Sequence, residues 1–338
     1  MKKMILGYAT HHGLEAMTAA DARRLTHVNL AFGTLREGLL DMRGLPRLRE
    51  QLSRLRGYNP ALRFVLSIGG WGAGGFSLMA RTERGCRAFA ASVGEAMEAY
   101  ALDGADIDWE YPCSNAAGID CDPSDRENFT LLLQALRDAV GERILSIAAG
   151  SGAYFIRDTE MEKVAAILDY VQIMTYDLRT GRPVTGHHTP LYPGEMGAGE
   201  VNARDCVSMF VRAGVPREKL IIGAAFYSRV WKKVKNTGTG LGQPAAGPAG
   251  FGPGYDELQA AYIDQNGFRR HWDAQACAPY LFNGDTFISY DDCESVAAKC
   301  RFVLREGLRG LRGLMYWEHS CDKTGTLLKT IAETFAEK

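Results

Sequence analysis

The sequence predicts an α/β fold, a (β/α)8 TIM barrel with a small inserted α+β subdomain between strand 7 and its helix. Three observations point there. Eight apolar, β-branched-rich runs recur along 338 residues, and helical patterns separate most of them. Several of the runs are almost continuously apolar, as parallel strands covered on both faces are. The polar and aromatic residues fall at the carboxyl ends of the runs, the end at which barrels carry their sites. A doubly wound open sheet is the alternative, since counting strands does not prove closure.

The expected strands cover Met4–Ala9, His27–Phe32, Arg63–Ile68, Gly104–Glu110, Ile144–Ala149, Tyr170–Tyr176, Leu220–Phe226 and Gly313–Trp317. Helices are expected near Thr18–Leu25, Arg43–Arg56, Glu83–Tyr100, Ser124–Val140, Thr159–Leu168, Asn202–Ala213, Cys293–Glu306 and Lys323–Ala336. Ser124 and Glu127, just after Pro123, have the spacing of a capping box. After Trp231 the pattern breaks. Residues 236–254 are rich in Gly and Pro and read as loop, and Tyr255–Gln265 reads as helix. Asn283-Gly284-Asp285 between two apolar runs is a hairpin signal. This stretch is too long and too patterned for one loop. The expected division is a barrel over 1–231 and 291–338 and an insert over 232–290, with Trp272 and Tyr280 as candidates to line the cleft beside it or to fill its own small core.

The formal net charge is −1, so neither nucleic acid nor an anionic membrane surface is an expected partner. No apolar run is long enough to span a bilayer. The apolar residues after Lys3 are too few for the core of a signal peptide, so the chain is expected to be cytosolic as written or already processed. The eight cysteines are scattered without a CxxC pair, which argues against zinc. Cys113 and Cys121 flank a short loop and can pair only in an oxidising compartment; reduced thiols are expected.

The richest chemistry lies in Asp103–Pro112. Ala105, Ile107 and Trp109 alternate with Asp106, Asp108 and Glu110, so an extended strand puts three apolar groups on one face and three carboxylates on the other. Like charges this close cannot all ionise cheaply, and at least one should hold a proton near neutral pH, as general acid catalysis requires. An EF-hand loop starting at Asp106 would want Gly where Tyr111 stands. Further along, Gly70, Gly72 and Gly75 satisfy GxGxxG, but they follow the third strand rather than the first, and Trp71 would crowd a pyrophosphate. Tyr8, Phe32, Tyr176, Asp177, Tyr227 and Trp317 sit at other strand ends; each alone is more often core or rim packing than a ligand contact, and together they suggest one mouth. His187 and His188 lack a metal-binding pattern and are expected in a loop at the cleft rim.

These motifs resemble family 18 of the glycoside hydrolases, the chitinases and their relatives. Asp103, Asp106, Asp108 and Glu110 match DxxDxDxE, followed by Tyr111-Pro112; Ser67, Gly69 and Gly70 match SxGG, running into Trp71. Met174, Tyr176 and Asp177 match MxYD; Phe226, Tyr227 and Arg229 match FYGR, with Ser228 where Gly is common; Ser289–Asp292 matches SYDD after the insertion domain. The resemblance implies that Glu110 is acid and base, that Asp108 holds the substrate's acetamido N–H, and that Asp106 shares a proton with Asp108. It implies that Tyr176 and Asp177 hold the acetyl group and that Trp317 lies beneath the sugar. Tyr8, Phe32, Trp71, Tyr111, Met174, Tyr227 and Arg229 are the remaining substrate-binding candidates; for Arg229 a structural salt bridge is as good a reading. The implied partner is chitin or an N-acetylglucosamine oligosaccharide, cleaved with retention through an oxazolinium intermediate, by a monomer, with no metal or organic cofactor. The alternatives are an endo-β-N-acetylglucosaminidase on N-glycans and a non-catalytic chitin-binding lectin.

Overall fold

The structure is a computed structural model and describes residues 3–197, 199–305 and 310–337. Eight parallel strands close on themselves: Met4–Ala9, His27–Arg36, Arg63–Gly69, Gly104–Asp108, Ile144–Gly150, Tyr170–Met174, Leu220–Ala225 and Gly313–Trp317, the first pairing with both the second and the eighth. Helices pack outside this cylinder, so each strand has an outward face on the helical layer and an inward face on the barrel axis. The fourth strand shows the division. Ala105, Ile107 and Trp109 face out, where Trp109 stacks on Phe76 at 5.3 Å and meets Phe129 edge-on at 5.7 Å. Asp103 closes the strand's base, accepting from the backbone N–H of Phe64 at 2.8 Å.

Strand pairing and expectation differ at the ends. The fourth strand leaves the ladder at Asp108, so Trp109 and Glu110 belong to the segment above it. The second strand runs on to Arg36 and folds back on Leu39–Asp41, because Glu37 (φ 53°) and Gly38 (φ 77°) make a left-handed two-residue turn. The helix expected from Arg43 starts at Leu48, after Arg47 in a left-handed conformation. The last helix likewise starts at Thr326, after left-handed Gly325, rather than at Lys323. The capping box at Ser124 does not form. Ser124 is itself helical in conformation, and the Asp122 carboxylate takes its N–H at 2.9 Å and its hydroxyl at 2.7 Å. The helix over Cys293–Arg305 agrees with expectation; Glu306 lies outside the described residues.

Between the seventh strand and that helix the chain builds a second, antiparallel sheet of five strands, ordered Gly250–Gly254, Tyr227–Trp231, Phe287–Ser289, Ala278–Phe282 and Arg269–Asp273. A strand over 250–254 replaces the end of the expected loop. Tyr280 does not line a cleft: it is buried with Trp231 and Phe287 in the small core of this sheet. Trp272 is half-buried, with the Arg270 guanidinium 5.4 Å from its ring centre.

Buried polar contacts fasten the insert to the barrel. His187 meets Asp273 at 3.0 Å, and the backbone N–H of His188 donates to Ser289 at 2.9 Å. The two histidines are therefore not at the rim; both side chains are fully buried, because the loop carrying them is pressed between barrel and sheet. Nearby, Asp291 accepts from Lys299 at 2.5 Å, from Ser295 at 2.6 Å and from the backbone of Ala225 at 3.0 Å. Removing one partner of such a buried pair strands the other charge. We therefore expect Lys299→Met to cost about 3–5 kcal/mol in urea-induced unfolding; a loss under about 1 kcal/mol, the range of surface pairs, would show the pair is not structural.

Candidate active site

Inside the barrel, near the carboxyl ends of the strands, one polar layer is built around Asp106. The parallel register aligns Ser67, Asp106 and Ser146 on three adjacent strands. Asp106 is fully buried and takes five hydrogen bonds. Its Oδ2 accepts from Tyr8 at 2.9 Å, Ser67 at 2.8 Å and Asn29 at 3.2 Å, and its Oδ1 from Ser146 at 2.7 Å and Gln172 at 2.8 Å. Burial pushes its carboxyl up from the ordinary value, while the bonds from Ser146, Ser67, Tyr8 and Gln172 pull it back.

Two residues further on, Asp108 has no such cradle. It is buried, and its Oδ1 has no hydrogen-bond partner. Burial first, then the charges of Glu110 and Asp106, raise its carboxyl well above the carboxylate range, so Asp108 is the group that keeps a proton. Glu110 lies nearest the opening. Burial raises it to about 7; the hydrogen bond to Tyr111 opposes this and the charge of Asp177 adds to it. The strand thus carries an anchored acid, a protonated acid and an acid poised near neutrality, an ordering set by depth and donors.

Aromatic rings line the mouth. Trp317 stacks on Phe32 at 5.4 Å and leans on Tyr8 at 5.7 Å, and its own ring stays partly exposed. Tyr8 itself is buried, so it meets the site through its bond to Asp106 rather than through an open face. Trp71 is 64% exposed on a turn in which Gly69, Gly70, Gly72 and Gly75 all have positive φ, and it meets Tyr111 edge-on at 6.3 Å. These glycines shape a turn that displays Trp71. Tyr111 packs on Tyr154 at 5.2 Å. Met174 is buried, in the same cluster as Tyr8, Phe32, Tyr176 and Trp317. Tyr176 lies over Gly223, where a Cβ would come within 2.7 Å of its ring, and meets Tyr227 edge-on at 6.1 Å.

Asp177 follows in a left-handed conformation, φ 58°. Arg229 grips both its oxygens: Nε donates to Oδ1 at 2.6 Å, and a terminal nitrogen donates to Oδ2. Burial would raise this carboxyl, but His188 and Arg229 hold it below the usual range. Arg229 is therefore in a salt bridge, and Phe251, 76% exposed, covers its guanidinium at 3.6 Å.

A family model described as glycosyl hydrolases family 18 matches residues 4–322. The chain belongs to this family. It is 37% identical over 305 residues to Chitinase A1 of Niallia circulans, an alignment covering 82% of this chain and 43% of that protein. It is 32% identical to Chitotriosidase-1 of Mus musculus, covering 88% of this chain and 67% of that one. The chain thus spans less than half of the first of these relatives and about two thirds of the second. Among solved structures, a family 18 N-acetylglucosaminidase from Paenibacillus barengoltzii superposes with a TM-score of 0.94 at 48% identity, over 98% of this chain and 99% of that one.

Family 18 motifs mark the rim of this site better than its floor. Asn29, Ser146 and Gln172, three of the donors to Asp106, carry no family motif, although each is a polar residue with apolar neighbours on both sides in its strand. Tyr154 in the short helix Ala153–Arg157, His188 in a loop and Phe251 in the insert have no comparable signature. Among the described residues no group of His, Cys, Asp and Glu side chains is arranged to hold a metal ion, and Cys113 and Cys121 are free thiols. No described helix is long and apolar enough to cross a membrane.

Stripping the Asp106 carboxylate would leave the hydroxyls of Tyr8, Ser67 and Ser146 without their acceptor and the amides of Asn29 and Gln172 with only their second contacts, to Gln172 and Ser146. Asp106→Ala should lower unfolding free energy by on the order of 3 kcal/mol or more, measured in urea, at about 1–3 kcal/mol per stranded buried group; an unchanged midpoint would mean the layer rehydrates without cost.

Proposed function

We propose that the chain is a retaining glycosidase that cleaves β-1,4 bonds between N-acetylglucosamine units, with chitin oligosaccharides as first substrates. The observation that carries the reading is the unpartnered oxygen of Asp108, buried between Asp106 and Glu110. A glycosidase with two working carboxylates sets them on opposite faces of the sugar. Here the acids stand on one strand, and Asp177 is already held by Arg229. The nucleophile then comes from the substrate. The 2-acetamido oxygen attacks the anomeric carbon, giving an oxazolinium ion, as the glycosidic C–O bond breaks and Glu110 delivers its proton to the departing oxygen. Asp108 accepts from the acetamido N–H through its unpartnered oxygen, and as the cation forms its proton shifts toward Asp106, leaving Asp108 the negative charge that stabilises the ring. Tyr176 and Asp177 hold the acetyl group, and Trp317 offers its face to the apolar side of the pyranose. Water activated by Glu110 then opens the ring with retention.

The names Chitinase A1 and Chitotriosidase-1 support chitin-type chains as the substrate, and an Endochitinase of Manduca sexta among the relatives favours cleavage within them. The solved N-acetylglucosaminidase at 48% identity favours a second reading, release of single sugars from chain ends. Products from N-acetylglucosamine hexamer separate the two, since internal cleavage gives dimers to tetramers early and end-wise cleavage gives monomer throughout. A lectin is disfavoured because Glu110 is in place and poised near neutrality.

Glu110→Gln should abolish hexamer cleavage while leaving binding intact; near-wild-type turnover would sink the reading. Fully deacetylated chitosan should not be cut, and brisk release of glucosamine oligomers would exclude the acetamido nucleophile. Glu110 works protonated, and its carboxyl sits at about 7. The rate kcat/KM should hold below that pH and fall about tenfold per unit above it. Tyr111→Phe removes a bond that lowers Glu110, so the falling limb should move to higher pH; a limb that stays put or moves down contradicts the assignment.

A further inference from the structure

His188 is a fully buried imidazole in the loop that follows the sixth barrel strand, and the mechanism above gives it no task. Its Nδ1 lies 3.4 Å from Asp177 Oδ1, and neither ring nitrogen makes an aligned hydrogen bond. Its main chain is pinned on both sides. The carbonyl accepts from the N–H of Leu178 at 3.0 Å, and the N–H donates to Ser289 at 2.9 Å. The ring meets Tyr227 edge-on at 5.4 Å. A purely space-filling role would suit an apolar side chain, because burying an unpaired polar group is unfavourable. Arg229 donates to both Asp177 oxygens and the Tyr227 hydroxyl also bonds this carboxylate, and an oxygen that takes one bond from Arg229 Nε has acceptor capacity for a further donor at the His188 Nδ1 position.

We propose that His188 is a positioning residue for Asp177: as the Nδ1–H tautomer it donates to Oδ1 from behind while Arg229 holds the carboxylate from the insert. A small rotation of either side chain turns the 3.4 Å approach into an aligned bond. Asp177 is then held from two directions in its left-handed conformation, with Tyr176 fixed beside it. The ring stays neutral. Burial lowers it more than Asp177 and Asp291 raise it, and Arg229 opposes the proton as well. Asp177, Asp291, Arg229 and the Tyr227 ring are the groups that act on it.

This proposal rests on the proposed function only for its kinetic readout, so a second readout is independent of substrate. In 15N-histidine NMR spectra of the wild-type chain at pH 7 to 8, His188 should appear as the neutral Nδ1–H tautomer. An Nε2–H tautomer or an imidazolium would overturn the proposal even if the enzyme cleaves chitin oligomers. His188→Leu keeps the volume and loses the donor, whereas His188→Asn keeps an N–H. On N-acetylglucosamine hexamer the Leu variant should lose about tenfold or more in kcat, with KM moved less, as misplacement of a positioned group does. Asn should restore most of that loss. Equal loss in both variants would make the role mere packing, and wild-type kinetics in Leu would make it none. If the wild type cleaves no N-acetylated oligomer, the functional reading fails and the NMR result alone decides this one.

Discussion

Putting three carboxylates on one strand inside a barrel is the constraint to which the rest of the site answers. Asp106 is fully buried, so an anion there survives only if the protein supplies its hydrogen bonds, and five side chains from five other strands do so. With Asp106 fixed as the anchored member, Asp108 cannot shed its proton cheaply, and Glu110 inherits the position nearest solvent with an affinity close to neutrality. The gradient along one strand comes from depth and partners, since the three groups are chemically alike. A barrel suits this arrangement because every strand can contribute one polar residue to a single layer while its outward face stays in the helical core.

The fold was legible because its signals are periodic. Strand and helix patterns repeat along the chain, and alternation in Asp103–Pro112 separates the face of Trp109 from that of Asp108. Ends were less legible where single residues adopt left-handed conformations, as Glu37, Arg47 and Gly325 do, because the residue type alone does not announce it. The acids and the aromatic ring of the site were visible as motifs. The donors beneath Asp106 were written in the sequence as polar residues interrupting apolar strands, yet their meaning needs closure of the barrel to bring first, second, third, fifth and sixth strands around the fourth. His187 and His188 show the reverse error. They look like polar loop residues, and only the packing of the insert over that loop buries them.

The tip of the sixth strand depends on the insert as much as on the barrel. Asp177 is gripped by Arg229, which belongs to the small sheet, and the loop behind Asp177 is tied to Ser289 and Asp273 on two further strands of that sheet. Lys299 and Asp291 then lock the return of the chain into the barrel. The insert is thus joined to the barrel through hydrogen bonds gathered around Asp177, and the bond from Arg229 also fixes a side chain of the candidate site.

The placement of Arg229 bears on how such proteins diversify. Tyr227–Trp231 starts only two residues after the seventh barrel strand ends, and it already belongs to the second sheet. Excising the insert or exchanging it at its chain crossings would therefore remove the counter-ion of Asp177. Recombination between relatives can swap the outer strands and loops freely, but the strand bearing Arg229 has to travel with the barrel. What looks modular in the order of the sequence is, at this one strand, shared property of both sheets.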